Sequence, residues 1–521
     1  MSGAGAIDAA ALTDDLRLET DVAIVGSGAG GGVAAETLSA AGLRVVVLEE
    51  GRWETAKAFS QNEAHAFPQL YQASGAQRTR DKAILVFQGR AVGGGTTVNW
   101  TASFPPPERT LAHWAEAHDL AALTGALAPH LDWAARRFNI HDWSPGRENP
   151  NNAALARGCA ALGHHWGHIP RNVRDCADTG LCGLGCPVNA KQSTLVTCIP
   201  AAVAQGATVA HGARARRVLI EGGRAVGVEA EAVGPDGAAL GPRLTVRARA
   251  VALAAGAIRT PALLMRSGAP DPSGQLGRRT FLHPVVGSVG IMRQKIEPYY
   301  GAPQTVYSDQ FLWPDDSSRV GFKLETPPIQ PLLAAAALDK SFGPEHAALM
   351  RRLPRFHGQI ALMRDGFSGG APGGAVTLQG SEGFALDYPV TPALADGFRR
   401  GLAAMMELQF AAGARAVLPW HLTARPLASL AAARAWLDAA DLRPGRLMLG
   451  SAHVMGGCAM GGPAHAADSP LDEDGRLRAL EGLWVVDGSA FPTSLGVNPQ
   501  VTIFALARRA ALTLAARLGA A

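Results

Sequence analysis

The chain has 521 residues, 47% of them hydrophobic and 18% charged, so it is long enough for two or more cores and too apolar to be disordered. Its net charge of +4 comes from scattered arginines rather than a basic run, which argues against nucleic acid as a partner. No apolar stretch reaches the length of a membrane span, residues 1–20 lack the basic start and apolar run of a secretion signal, and six cysteines are too few for a disulfide framework. A cytoplasmic protein without a transmembrane segment is expected.

The first stretch with readable chemistry is Asp21–Gly51. Val22, Ile24 and Val25 form a short buried strand, and Gly26, Gly28 and Gly31 give a G-x-G-x-x-G turn that opens onto a helical run, Val33–Ala41. The first glycine permits a tight turn, the second lets backbone approach a pyrophosphate, and the third lets helix pack on strand. Free N–H groups at the helix start, about Ala29, then face the anion. A second strand, Arg44–Leu48, ends in Glu49, spaced to accept hydrogen bonds from an adenosine ribose whose 2′-hydroxyl is free. The pattern is a nucleotide cradle, equally suited to FAD and NAD.

An apolar run, Ala83–Phe87, leads into GRAVGGGTTVNW at Gly89–Trp100. Gly93, Gly94 and Gly95 leave a bare backbone that a flat ring system can approach, and Asn99 offers donor and acceptor at its edge. With these two motifs in order, the chain closely resembles the glucose-methanol-choline oxidoreductase family, FAD-dependent enzymes that oxidise alcohols. VNWTASFPPP is similar in particular to its long-chain alcohol oxidase and dehydrogenase branch. The resemblance implies cofactor contacts at Gly89, Arg90, Gly93, Gly94, Asn99, Trp100 and Thr101. Some members link the flavin covalently through a His before the Asn; here that place holds Val98, which has no nucleophile, so non-covalent FAD is expected.

Residues 107–163 read as scaffold helices, with Trp114, Leu120, Leu123 and Leu127 on a buried face and Asn151 or Asn152 as an N-cap. His164, His165 and His168 have a spacing that could bind a metal, although no Glu follows in H-E-x-x-H form and a solvated loop is the commoner reading. Cys176, Cys182 and Cys186 are spaced C-x5-C-x3-C, which leaves a cluster, zinc or a disulfide open. Tight packing of small, largely buried thiols is favoured, and no metal is expected.

Helix Ala201–Gln205, strand Thr208–His211, a hairpin of Arg217–Ile220 with Ala225–Glu231, and Thr245–Ala254 return to the nucleotide domain. The resemblance implies that this meander covers the adenine, with Val218 and Ala255 at the cofactor. From about 270 to 445, Val285–Met292 and Arg319–Leu324 read as strands of a substrate domain. Phe398, Leu402, Met405, Met406 and Phe410 fall mostly on one helix face.

Near the C-terminus, His453 precedes a Gly-rich turn, Leu483–Val486 forms a buried strand ending in Asp487, and Asn498 stands at the start of the final helix, where it could also serve as the N-cap. The resemblance implies that His453 and Asn498 face the flavin ring, that Asp487 and Gly488 lie near the ribityl or pyrophosphate, and that Pro499 and Val501 belong to the helix start aimed at the ring. The expected fold is α/β: a Rossmann-like FAD domain (17–105, 195–285 and 446–521) interleaved with an α+β substrate domain on an antiparallel sheet (106–194 and 286–445). The expected reaction is oxidation of a primary or secondary alcohol, long-chain or bulky and apolar. His453 would act as base, Asn498 as clamp and flavin N5 as hydride acceptor, with O2 or another acceptor taking the electrons on. A dehydrogenase passing electrons through a cysteine-bound cluster to a cytochrome, and a non-redox lyase, are the alternatives.

Overall fold

The computed structural model describes residues 5–338, 342–380 and 383–520. A parallel sheet forms the centre of the nucleotide half. In spatial order it runs Ala6–Asp8, Thr208–His211, Val45–Glu49, Leu16–Val25 and Ala239–Leu253, every neighbouring pair parallel. At the last strand the sheet forks: Leu483–Val485 adds parallel to it, and the antiparallel pair Arg224–Val233 and Ala213–Glu221 continues from its other end. Strands buried on both faces need continuous apolar runs, and VAIV, VVVL and AVAL supply them.

Helix Ala29–Ala40 packs on this sheet together with the last helix, Gln500–Arg517. It starts four residues before the expected Val33. Gly30, Gly31 and Gly32 remain helical because they are held tightly: a Cβ on Gly30 would lie 1.8 Å from the Val486 carbonyl oxygen, and one on Gly31 would lie 1.9 Å from that of Gly26. Bare backbone is what lets the helix approach the strand ends.

The second sheet is largely antiparallel. Its order is Ile84–Val86, Leu449–Ser451, Val285–Met292, Phe356–Met363, Phe322–Glu325, Val306–Ser308 and Gly167–His168, with Ala414–Pro419 also on Val285–Met292. Helix Pro392–Ala411 covers one face, burying Phe398, Leu402, Met405 and Met406, with Phe410 half-buried. Ile84–Val86 and Leu449–Ser451 therefore join the second sheet, although the expected boundaries gave them to the nucleotide half, and Ala6–Asp8 joins the first sheet from before residue 17.

Two expected caps are corrected. Asn149, not Asn151 or Asn152, caps helix Pro150–Leu162 through the Asn152 amide, while Asn151 and Asn152 are buried and bind neighbouring backbone. The final helix begins at Gln500 after Pro499, so Asn498 is not its cap. Among the described residues no helix is long and apolar enough to cross a membrane.

Candidate active site

The carboxyl ends of the parallel strands and one side of the second sheet enclose a cavity of about 1050 Å3. The glycine loop forms part of its wall. Gly28 occupies the N-cap position of helix Ala29–Ala40 and offers no side chain to its amides, so the first N–H groups are left for a ligand, and Gly28, Ala29 and Gly30 line the cavity. Gly94, at φ 51, approaches Gly28 so closely that a Cβ on it would meet the Gly28 Cα at 2.8 Å. This is a fitting cradle for a pyrophosphate, and the neighbouring space suits a dinucleotide.

Gly26, Gly28, Ala29, Glu49, Gly89, Gly94, Asn99, Trp100, Thr101, Ala255, His453, Asp487, Gly488, Asn498 and Pro499 all line the cavity. Gly31, Arg90, Gly93, Val218 and Val501 do not. Gly31 is used in packing, as above. Gly93, at φ 92, makes the turn and donates its amide to Ser27 Oγ at 3.0 Å. Arg90 faces Glu50 at 3.2 Å and the carbonyls of Gly234 and Pro235. Val218 and Val501 are buried within a strand and a helix.

Glu49 has a task that spacing alone does not reveal. Its carboxylate accepts from the Ser27 amide (3.0 Å) and hydroxyl (2.6 Å) and from the Gly51 amide (2.7 Å), tying the glycine loop to the second strand. Burial pushes its carboxyl up from the ordinary range. Glu50, passed over in the sequence, is the centre of an arginine cluster: Arg214 lies 3.1 Å and Arg259 3.9 Å from it, besides Arg90. Burial raises its carboxyl, but the charges of Arg259, Arg214 and Arg90 outweigh burial and hold it below the ordinary value. Asp487 is likewise engaged, by the Gly256 amide (2.8 Å), the Thr260 hydroxyl (2.6 Å) and Ser489. Asn99 donates to Gln500 Oε1 at 2.8 Å and accepts from the Thr101 amide.

Across the cavity His453 and Asn498 come together, 45 residues apart in sequence, with Nε2 and Nδ2 3.3 Å from each other. Burial pushes the His453 imidazole down to about 4, with the Lys323 charge acting in the same direction. Behind it stands His283, whose Nδ1 is 3.2 Å from His453 Nδ1 and whose Nε2 accepts from the Gly496 amide at 2.9 Å. His283 has φ 45, an uncommon backbone conformation for a side-chain-bearing residue, held by Asp365, which accepts from the Leu282 and His283 amides. Neither His283 nor the pair Lys323 and Glu325, which lies on the far side of Asn498, was singled out from sequence. The signal for the pair was present: two opposite charges at i and i+2 in FKLE, alternating with Phe322 and Leu324.

The cysteine loop is not a set of buried thiols. Cys176, Cys182 and Cys186 are half-buried and unpaired, whereas Cys159, Cys198 and Cys458 are buried. Lys191 holds the loop from below, donating from Nζ to the carbonyls of Thr97, Asn99 and Cys182 at 2.6, 2.9 and 2.7 Å. His165 and His168 each take a separate carboxylate, Asp309 and Glu148. Among the described residues no group of three or more His, Cys, Asp or Glu is arranged to hold a metal ion.

Models of the GMC oxidoreductase family match residues 67–285 and 372–507. The chain is 34% identical over 491 residues to a GMC-type oxidoreductase of Mycobacterium tuberculosis strain H37Rv, covering 94% of this chain and 74% of that one. It is 32% identical over 510 residues to long-chain-alcohol oxidase FAO4B of Arabidopsis thaliana, covering 94% of this chain and 66% of that relative's length. In fold it is similar to pyridoxine 4-oxidase from Mesorbium loti, with TM-score 0.68, 19% identity, and 95% and 98% of the two chains covered. Formate oxidase of Aspergillus oryzae gives 0.66, 17%, and 97% and 99%. The chain belongs to the GMC oxidoreductase family, whose typical cofactor is FAD.

Proposed function

We propose that the protein oxidises the hydroxyl of a long-chain or bulky apolar alcohol, primary or secondary, to the carbonyl, with FAD held non-covalently. The observation that carries this reading is the meeting of His453 and Asn498 on the wall of a cavity whose lining includes the apolar side chains of Val285, Ile329, Leu333, Phe356, Ile360 and Trp420. The long-chain-alcohol oxidases among its relatives support the substrate class. The glycine cradle, Glu49 and Asp487 would hold the cofactor, with Val98 offering nothing to attach it covalently. Bound FAD supplies the hydride acceptor.

The chain's own residues must grip the substrate oxygen and manage its proton. His453, neutral at physiological pH, takes the hydroxyl proton on Nε2 while Asn498 Nδ2 donates to the oxygen, so that the C–H bond gives up its hydride as negative charge gathers on that oxygen. One observation favours a second role for the same ring. A backbone N–H can only donate, so His283 Nε2 is an acceptor and a neutral His283 carries its proton on Nδ1, toward His453 Nδ1. His453 would then carry its own proton on Nε2 and face Asn498 Nδ2 donor to donor until a substrate oxygen enters between them and accepts from both, so that the ring stabilises the alkoxide as a donor and the hydroxyl proton leaves by another route.

Two substitutions separate these roles. His453→Ala removes both functions and should slow anaerobic flavin reduction by about 10²- to 10⁴-fold, the usual worth of a positioned base. His453→Gln retains a donor but no base. A Gln variant as slow as the Ala variant identifies His453 as the base, and one close to the native rate identifies it as the donor. If neither variant is slowed, His453 is not part of the chemistry.

A further inference from the structure

Lys323 and Glu325 leave the same face of strand Phe322–Glu325 and are sealed from solvent, at 1% and 0% side-chain exposure. Their charged atoms are 3.6 Å apart. Lys323 Nζ lies 2.9 Å from the ring centre of Phe104 and 4.5 Å from that of Tyr307. Neither Nζ nor Glu325 Oε1 has a hydrogen-bond partner among the described residues. Taking two charges out of water is costly, and mutual attraction offsets that cost only when the remaining lone pairs and protons are satisfied. Here Nζ and Oε1 have only each other, 3.6 Å apart, so stability alone is a weak reason for the pair.

The other carboxylate oxygen shows what the pair is joined to. Glu325 Oε2 accepts from Gln304 Nε2 at 2.7 Å and from Asn498 Nδ2 at 3.4 Å, and the same Nδ2 is the atom beside His453 Nε2. Were the Asn498 amide flipped, its carbonyl oxygen would stand against the carboxylate, lone pairs against lone pairs. Ionised Glu325 thus forbids one of the two amide orientations that shape alone would allow.

We infer that Lys323 and Glu325 are a positioning pair for the alcohol site: Glu325 holds the Asn498 amide with its N–H donors toward itself and His453, and Lys323 holds Glu325 in place as its counter-charge. A substrate oxygen arriving beside His453 then always meets a donor, which is what developing alkoxide charge requires. The inference rests on the reading that His453 and Asn498 grip the alcohol. Electrostatics agree with the geometry, since after burial the charge that weighs most on His453 is that of Lys323. His283 is in direct contact with His453, and it itself feels Lys323 and Arg364 and stands over Asp365.

The test uses flavin-loaded protein. Glu325→Gln replaces the carboxylate with an amide that tolerates either Asn498 orientation; the rate of anaerobic flavin reduction at saturating 1-dodecanol should fall by at least about twofold, the loss when the two orientations are equally populated, and Glu325→Asp should recover most of it. Lys323→Met removes a positive charge near His453, so the pH at which reduction fails on the acid side should rise from about 4 toward the ordinary histidine value. If either single variant fails to fold, the neutral double variant Lys323→Met with Glu325→Gln avoids the unpaired buried charge and should show the same loss of rate. A native rate and an unmoved acid limb in folded variants, with only the melting temperature lowered, would overturn the inference. Its failure is distinct from that of the alcohol site: slow His453→Ala and Asn498→Ala beside a fast Glu325→Gln removes only the positioning pair, whereas fast His453→Ala and Asn498→Ala removes the site.

Discussion

A histidine serves as a base only while it is neutral, and His453 is kept so by burial and by Lys323, with its midpoint pushed down to about 4. The rate of flavin reduction should therefore stay level from pH 8 to about 5 and fall through pH 4; stopped-flow traces at saturating alcohol measure this, and a fall centred near 6.5 would mean an ordinary solvated imidazole. His357 gives an independent residue-scale check on stability. It is fully buried between Asn151 Oδ1, to which its Nδ1 donates, and Gln359, and burial pushes it down to about 3. Between pH 6.5 and about 3 the unfolded chain binds a proton there that the folded chain does not, so stability is lost as pH falls through this window. His357→Gln should flatten the dependence of unfolding free energy on pH by about 1.4 kcal/mol per unit in that range, whatever it does to stability at pH 8.

At the scale of elements, local patterns were legible and long-range register was not. The strand, glycine turn and helix after Asp21 could be read because each needs only its own neighbours: apolar runs for a strand buried on both faces, and bare backbone for a helix that touches Val486 and Gly26. The helix starts earlier than the sequence suggests because glycines normally weaken helices, and the contacts that hold Gly30 and Gly32 come mainly from Val486 and Thr194, more than 150 positions away, while Gly31 packs on the nearby Gly26 carbonyl. The same limit hid His283 and Glu325. His283 meets His453 across 170 residues and Glu325 meets Asn498 across 173, pairings set by how the second sheet docks on the first. Glu49 was read as a ligand for ribose, yet its bonds to Ser27 and Gly51 appear only when the loop is seen folded back on the strand. Gly30→Ala tests the close approach directly. A methyl 1.8 Å from the Val486 carbonyl oxygen must push the helix away, costing about 1–3 kcal/mol as overpacking does, and the purified protein should carry little or no flavin by its absorbance ratio at 450 and 280 nm.

For the whole molecule, the α/β architecture with an antiparallel second sheet is what the resemblance read from GRAVGGGTTVNW and the His453 segment implies, and both the sheets and membership of the GMC oxidoreductase family agree with it. The two sheets are threaded together at Ile84–Val86 and Leu449–Ser451, which places His453 two residues past a strand of the second sheet while Asn498 leads into a helix packed on the first. Such interleaving makes the cavity between them depend on both halves at once. Acid or heat denaturation should release all the yellow chromophore as free FAD, because Val98 offers no attachment; flavin that precipitates with the polypeptide would reveal a covalent link elsewhere. The most direct measurement is anaerobic mixing of the purified flavoprotein with a saturating long-chain alcohol while the flavin band near 450 nm is followed. Bleaching with one aldehyde or ketone formed per flavin is the expected result, and a band that stays oxidised with every long-chain and bulky apolar alcohol tried would contradict the assignment and favour a non-redox role for the flavin.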